Sequence, residues 1–220
     1  MNLPRQLALA LPHAESFARE DFLAGASNAA ALALIERWPD WPDRVLALTG
    51  PEGAGKSHLA AIWAERAGAR RLSARALGET DLLAARATGA LVVEDAGPAL
   101  DERALFHLLN LVREEEGWLL LTARTAPARF GVALPDLGSR LRALPVVALS
   151  APDDALLRAL LVKLFADRQV AVDETLVSYL ATRIERSFAA ARETVALLDR
   201  EALRRQRPVT RALAAETLRA

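Results

Sequence analysis

The residues with the clearest chemical capacity form a glycine-rich motif in the first third of the chain. Gly50, Gly53 and Gly55 are followed by Lys56 and Ser57 in the order G-x-x-x-x-G-K-S, which is a phosphate-binding loop. Glycines let backbone N–H groups curl around a phosphate, the lysine can reach the β- and γ-phosphates, and the serine hydroxyl can ligate Mg²⁺. The motif predicts a site for ADP or ATP with Mg²⁺.

The residues on either side of the motif predict the strand and the helix that such a loop needs. Residues 44–49 form an apolar run of strand length, and residues 57–66 are rich in helix formers with apolar residues at helical spacing. This context disfavours the alternative of a glycine turn with an accidental lysine. The predicted nucleotide-binding residues also include Ala54 within the loop and His58 directly after it.

Two carboxylates follow a later apolar run. Residues 89–93 lead into Glu94 and Asp95. A buried parallel strand that ends in acids suits a nucleotide-bound Mg²⁺, since one acid can hold the metal's hydration shell while its neighbour orients an attacking water. We assign Glu94, together with Ser57, to the metal and Asp95 to catalysis. An acidic turn after an ordinary core strand is the alternative.

The order of elements predicts an α/β core followed by a helical domain. Strands alternate with helices up to Ser150, which indicates a parallel sheet sandwiched by helices, and Thr122 ends one strand where it can sense the γ-phosphate. Beyond that point the pattern is helical only. We therefore expect a nucleotide-binding core over residues 15–150 and a small all-helical domain over residues 151–220.

The first residues predict an extended peptide over positions 1–14. Two prolines discourage a helix there, and Leu7, Leu9 and Leu11 alternate so that they share one face. Such a peptide can dock on a partner, with apolar pockets for the leucines and a polar pocket for Gln6. A strand on this protein's own core, or a simple tail, is the alternative.

Composition excludes several classes of function. The net charge is zero, which argues against a general nucleic-acid binder. The absence of cysteine excludes disulfides, thiolate metal sites and cysteine nucleophiles, and it fits a cytoplasmic protein. No apolar run approaches the length of a membrane span, so we expect no membrane partner. The three histidines are scattered along the sequence and do not suggest a metal site.

The order of these parts resembles an AAA+ ATPase of the DnaA branch. Residues 22–28, with the sequence FLAGASN, are similar to the DnaA segment that lines the nucleotide base, which implies that Phe22 and Gly25 bind nucleotide. Residues 136–141, with the sequence DLGSRL, are similar to the box that carries that family's arginine finger. The resemblance makes Arg140 the finger, a residue that acts across a subunit boundary and is worth roughly 10³–10⁵ in rate.

The whole layout is similar to the DnaA regulatory inactivators, the Hda family. Residues 6–11, with the sequence QLALAL, resemble the peptide by which proteins dock on the β sliding clamp of DNA polymerase III. The resemblance implies that the clamp-bound protein meets ATP-loaded DnaA and uses Arg140 to promote its hydrolysis, which prevents re-initiation of replication. We expect no DnaA-type DNA-binding domain, contact with DNA only through the clamp, and a location at the replisome on the nucleoid. Whether the chain forms a homo-oligomer is left open.

Two positions depart from the family's pattern. AAA+ proteins usually have aspartate and then glutamate after the acidic strand, whereas this chain has the reverse order, and Asp95 is one methylene shorter than the usual water-orienting residue. We therefore expect weak or no intrinsic ATPase activity, with ADP as the working nucleotide. In the third helix of the predicted lid, Ala189 stands where relatives carry a nucleotide-sensing arginine. Arg186, which we assign to the nucleotide, or Arg192 can substitute from an adjacent turn.

Two other functions share some of these features. A DnaC-like helicase loader, or another DnaA-type ATPase that acts on DNA, has the same core, and binding to single-stranded DNA without a clamp would favour it. A small-molecule kinase also uses a phosphate loop, and phosphate transfer from ATP to a metabolite would identify one. The sequence shows neither a separate DNA- or helicase-binding segment nor an acceptor-substrate signature.

Overall fold

The computed structural model describes residues 17–78 and 88–218, which fall into two compact units. The first unit comprises residues 17–151, and the second comprises the described residues from 152 onward. The predicted docking peptide, with Gln6, Leu7, Leu9 and Leu11, lies outside the described residues, as does most of a helix predicted at residues 77–88.

A five-stranded parallel sheet forms the centre of the first unit. Its strand order is β2-β3-β4-β1-β5, so the strand that precedes the phosphate loop lies between two neighbours. All five residues of that strand are buried, as expected for an apolar strand covered on both faces. The strands are β1 (Val45–Thr49), β2 (Arg70–Ser73), β3 (Ala90–Ala96), β4 (Trp118–Ala123) and β5 (Val146–Ala148).

Four helices of the described residues cover the two faces of the sheet, which confirms the predicted sandwich. One apolar cluster joins even-numbered residues of the central strands, such as Leu46 and Leu48, to the first two helices. A second cluster joins odd-numbered residues, such as Val45 and Leu91, to the other two. The helices are α1 (Ala29–Glu36), α2 (Lys56–Ala67), α3 (Glu102–Glu114) and α4 (Pro135–Ala143).

The second unit is all helical over its described residues. Each of its four helices begins at a residue whose side-chain oxygen accepts a hydrogen bond from a backbone N–H of the first turn, which offsets the unpaired donors of a helix start. The helices are α5 (Asp154–Ala166), capped by Asp153; α6 (Glu174–Ala181), capped by Asp173; α7 (Phe188–Arg205), capped by Ser187; and α8 (Arg211–Thr217), capped by Thr210.

All four tryptophans of the chain meet in one cluster in the first unit. Trp41 stacks on the fully buried Trp63 of α2 with ring centroids 5.0 Å apart, and Trp38 and Trp118 contact that pair edge-on. Because Trp118 begins β4, the cluster lies at the amino ends of the strands, at the opposite edge of the sheet from the phosphate loop. The cluster therefore anchors α2 from behind the site.

Within the part of the chain that the structure describes, no helix combines the length and the apolar character needed to cross a membrane.

We predict that Trp63→Ala destabilises the first unit by about 3 to 5 kcal/mol, because the change removes a fully buried ring and leaves a cavity beside α2. Urea unfolding followed by the remaining tryptophan fluorescence measures this unit selectively, since all four tryptophans lie in it. The matched control is Leu134→Ala at a side chain that is 36% exposed, which should cost at most about 1 kcal/mol. Equal losses in the two variants would contradict the anchoring role.

Candidate nucleotide-binding site

Gly50 fixes the start of the phosphate loop against both neighbours of β1. Its N–H donates to the carbonyl of Ala123 at the end of β4 over 3.2 Å, and the N–H of Leu149 donates to the carbonyl of Thr49 over 2.7 Å. The Gly50 φ of 151° lies in the region that favours glycine. A Cβ at this position would lie 2.4 Å from the Leu149 carbonyl oxygen. No other residue fits here without moving β5.

The rest of the loop leads into α2 through backbone that favours glycine. Gly53 and Gly55 have φ angles of 69° and 94°, and Ala54 between them is buried. No side chain caps the start of α2, which has 12 residues. The first N–H groups of the helix and its dipole are therefore available to an anion at this end, as expected for a phosphate site.

Lys56 is the buried cation of the site, and its side chain is held by the loop itself. Its Nζ donates to the carbonyl oxygens of Gly50 over 2.9 Å and Pro51 over 2.7 Å. Burial lowers the pKa of the Lys56 ammonium below its ordinary value of 10.5, while the negative charge of Asp95 acts in the opposite direction. A bound phosphate would favour the charged form of this lysine and compete with the two carbonyls for its protons.

The acidic pair lies at an irregularity in the sheet that the sequence does not predict. Val93 pairs with Leu121, but Ala96 pairs with Ala123, so Glu94 and Asp95 together oppose the single residue Thr122. This is a β-bulge, a feature that re-aims side chains at the end of a strand. Asp95 takes a left-handed conformation with φ 58°, and its N–H donates to Thr122 Oγ1 over 3.1 Å.

The bulge separates the surroundings of the two carboxylates. Glu94 Oε1 accepts hydrogen bonds from Nε and Nη2 of Arg71 on β2, over 2.9 and 2.7 Å. Asp95 instead lies where its charge acts on Lys56. The assignment of Glu94 to the metal stays a prediction. Sequence reasoning did not single out Arg71, which the fold brings to Glu94 because β2 is an edge strand paired with β3.

The oxygen donors near the loop fit a nucleotide-bound Mg²⁺. The Ser57 side chain is exposed at the first turn of α2, and Asp95 is exposed at the end of β3. Mg²⁺ bound to nucleotide phosphates needs only one or two protein oxygens and keeps several waters. The described residues contain no group of three or more metal-ligating side chains, so a site with more protein ligands has no support in them.

The segment predicted to line the base is folded against the start of α2. Phe22 is buried and contacts the edge of the His58 ring, with centroids 5.2 Å apart, and His58 Nε2 lies 2.9 Å from the Ala18 carbonyl oxygen. The Gly25 N–H donates to Asn28 Oδ1 over 2.8 Å. Asn28, the last residue of this segment, is 1% exposed. Its side chain fixes the turn that follows Phe22, because its Nδ2 also donates to the Leu23 carbonyl oxygen over 3.0 Å.

Arg140 of α4 rests on α3 in the first unit. Its Nη1 donates to Asn110 Oδ1, and its guanidinium carbon lies 4.8 Å from the centroid of the Phe106 ring. Among the described residues no carboxylate forms an ion pair with Arg140. Asn110 and Phe106 are four positions apart on one helix face, which was the only signal in the sequence for these two residues.

Arg186 belongs to the helical unit. Its Nη2 lies 3.4 Å from Asp154 Oδ1, and Asp154 also accepts a hydrogen bond from Arg158 over 2.9 Å. The hydrogen bond from Arg158 lowers the pKa of the Asp154 carboxyl, so this acid is charged at neutral pH. The nucleotide-sensing role of Arg186 stays a prediction.

Comparisons with solved structures identify the fold. Domain III of the replication initiation protein DnaA from Thermotoga maritima superimposes with a TM-score of 0.77 at 17% identity, over 92% of this chain and 95% of that domain. AMPPCP-bound DnaA from Aquifex aeolicus gives 0.69 at 15% identity, over 84% of this chain and 65% of that one. The Thermotoga maritima RuvB Holliday junction branch migration motor gives 0.72 at 18% identity, over 93% and 72%.

These likenesses confirm the predicted fold class. The chain has the α/β fold of an AAA+ domain, of the kind found in DnaA and RuvB. At these identities the likeness establishes fold and no more. No protein-family model and no curated protein matches the sequence.

We predict that Gly50→Ala destabilises the first unit by about 2 kcal/mol or more and abolishes tight ADP binding, because the new Cβ must displace the end of β5. Urea unfolding and calorimetric titration with ADP measure the two effects. Gly78→Ala is the matched control, since no atom lies within 4 Å of its Cβ position. Wild-type ADP affinity in the Gly50 variant would contradict the assignment of this loop to phosphate.

We also predict that ADP binding takes up a proton at alkaline pH. The Lys56 pKa is lowered in the free protein, and a bound phosphate raises it, so affinity should fall as the pH rises through the interval between these two values. Calorimetry from about pH 8 to about pH 10, in buffers of different ionisation enthalpy, measures the uptake. Lys56→Met should bind ADP more weakly and lose the proton uptake. Unchanged proton uptake in that variant would show that a group other than Lys56 takes up the proton.

Proposed function

We propose that the chain binds ADP or ATP with Mg²⁺ at the phosphate loop. The observation that carries this proposal is the buried Lys56, which lies in a loop anchored by Gly50. Two features support it: the loop backbone needs glycine at its turns, and α2 presents uncapped N–H groups to an anion. The AMPPCP-bound DnaA of similar fold adds support by analogy.

Each residue of the site then has a distinct task. Lys56 holds the β- and γ-phosphates, and the N–H groups of the loop and of α2 surround them. Ser57 and Asp95 supply oxygen to Mg²⁺, directly or through its waters. The metal neutralises phosphate charge when it is bound. Phe22, which contacts His58 at the start of α2, would line the base.

We propose that the chain's own ATPase activity is weak. Glu94 is occupied by two hydrogen bonds from Arg71, so it can hold the metal's waters only by giving up that pair. Asp95 has the shorter side chain, and its backbone is fixed by Thr122 in the bulge. Neither carboxylate is well placed to orient an attacking water. The nucleotide then serves mainly as a structural ligand, with ADP as the working form.

The catalytic residue in this proposal is Arg140, acting on ATP bound by a partner. Only its Nη1 is bonded to a described side chain, which leaves the other guanidinium donors for a γ-phosphate. Its stack on Phe106 restricts the rotamers of a long side chain, so less entropy is lost when it engages. An arginine finger supplied in trans accelerates phosphoryl hydrolysis by roughly 10³- to 10⁵-fold.

We propose DnaA loaded with ATP as that partner and the β sliding clamp as the docking site of residues 6–11. The clamp would deliver Arg140 to DnaA on newly replicated DNA, and hydrolysis there would prevent re-initiation. The net charge of zero supports a contact with DNA that runs through the clamp rather than through a basic surface of this chain.

A DnaA-type ATPase that acts directly on DNA is the second candidate. It is favoured by structures of similar fold, since one DnaA is bound to AMPPCP and single-stranded DNA and RuvB is a Holliday junction branch migration motor. Tight binding of this chain to single-stranded DNA without any clamp would select this candidate.

We predict that clamp-loaded DNA and this protein together convert ATP-bound DnaA to the ADP form, and that Arg140→Ala reduces the rate by about 10³-fold or more. Arg142→Ala is the matched control, because this arginine of the same helix bonds only to Ser139 Oγ among the described residues. Gln6→Ala should abolish the stimulation of this conversion by the clamp and leave nucleotide binding intact. Conversion unaffected by the loss of Arg140 would remove the mechanism.

A further inference from the structure

Two arginines of the helical unit converge on one aromatic ring. The guanidinium carbon of Arg183, which follows α6, lies 4.0 Å from the ring centroid of Tyr179. The guanidinium carbon of Arg211, the first residue of α8, lies 5.4 Å from the same centroid. The tyrosine is 8% exposed, so its ring is a fixed platform. Cation–π attraction holds both arginines to the ring, and both guanidinium groups therefore occupy a defined place.

Neither arginine has a carboxylate partner among the described residues. The only side-chain hydrogen bond described for either arginine is a 3.4 Å contact from Arg183 Nη1 to Thr182 Oγ1. Other arginines of the same unit do pair: Arg158 bonds to two carboxylates and Arg204 to one. Two like charges gathered on one ring without a counter-charge repel each other, and an anion bound between them would relieve that repulsion.

The two arginines border an open surface cavity of about 420 Å³ that lies between α6 and α8. Besides the two arginines and Tyr179, the cavity is lined by three small residues with hydroxyl groups and by one carboxylate, that of Glu174. The carboxylate accepts hydrogen bonds from Arg158 Nη1 over 3.0 Å and from Ser178 Oγ over 2.9 Å, so its charge is already compensated. The cavity therefore combines a wall of small polar groups with two uncompensated positive charges. The three hydroxyl-bearing residues are Thr175, Ser178 and Thr182.

We propose that this cavity binds a phosphate group through Arg183 and Arg211. A guanidinium presents its donors as a planar fork that matches two phosphate oxygens, and a phosphate has enough oxygens to meet two such forks at once. A single carboxylate offers only two oxygens and one charge. The site goes beyond the proposed function, because it uses residues of the helical unit alone and requires neither the phosphate loop nor Arg140. The phosphate can be free, part of a nucleotide, or part of a DNA strand.

Tyr179 is the only tyrosine of the chain, which allows a selective test in the full-length protein. Protein labelled with meta-fluorotyrosine gives one fluorine NMR signal, and that signal reports on this cavity. The signal is followed during titration with three phosphate compounds (inorganic phosphate, ADP and a short single-stranded oligonucleotide) and with polyglutamate as an anion without phosphate, each at constant ionic strength. Lys56→Ala is included in the titrations with ADP and with inorganic phosphate so that binding at the phosphate loop does not contribute.

The expected result is a saturable shift of the signal with at least one of the three phosphate compounds. Arg183→Ala and Arg211→Ala should each weaken that binding by about tenfold or more, since each removes charge-assisted hydrogen bonds. Arg204→Ala, which removes an arginine paired with Glu201, should leave it unchanged. The compound with the lowest dissociation constant identifies the source of the phosphate.

Three results would overturn the proposal: no shift with any of the compounds, equal shifts in wild type and both arginine variants, or a shift produced only by an acidic peptide such as polyglutamate. Because the fluorine signal reports on Tyr179 and the proposed site uses neither the phosphate loop nor Arg140, failure here leaves the proposed function untouched. Failure of the proposed function would likewise leave this site standing.

Discussion

The site depends on the close approach of the Gly50 backbone to the carbonyl of Leu149. Because Gly50 also donates to Ala123 of β4, the start of the loop is tied to both strands that flank β1. The loop therefore has no freedom to open at this end, and its carbonyls stay where they bind the Lys56 ammonium. Because Gly50 has no Cβ, its backbone can make this close approach, which sets the position of the Lys56 ammonium on which phosphate recognition depends. The tryptophan cluster holds α2 at its other end, so the helix cannot retreat from the loop.

A second constraint divides the two carboxylates at the end of β3. The bulge opposite Thr122 gives Glu94 and Asp95 different neighbours, a cation on the adjacent strand for one and the loop lysine for the other. A site of this kind can hold nucleotide firmly while it lacks a carboxylate poised for water. That is the physical basis for the proposal that the chain acts catalytically through Arg140, whose positive charge has no carboxylate partner among the described residues.

Local patterns predicted most of the fold. The phosphate loop, the apolar strands and the strand-free helical unit all follow from residues that are near one another in sequence, such as Gly55 and Lys56. The features that sequence reasoning missed join distant positions. Arg71 meets Glu94 across a strand pair, Asn110 and Phe106 meet Arg140 across a helix pair, and the bulge is a matter of register between β3 and β4. A single sequence contains no signal for such pairings beyond the compatibility of the side chains.

The central claim is that this chain promotes hydrolysis of a partner's ATP and keeps its own nucleotide. The direct measurement loads DnaA with tritium-labelled ATP and this protein with ATP carrying a different label, then mixes them with clamp-loaded DNA and an excess of unlabelled nucleotide. ADP is followed in both labels at once. The account predicts rapid, Arg140-dependent appearance of ADP in the DnaA label and little change in the other. Rapid hydrolysis confined to this protein's own label would contradict it.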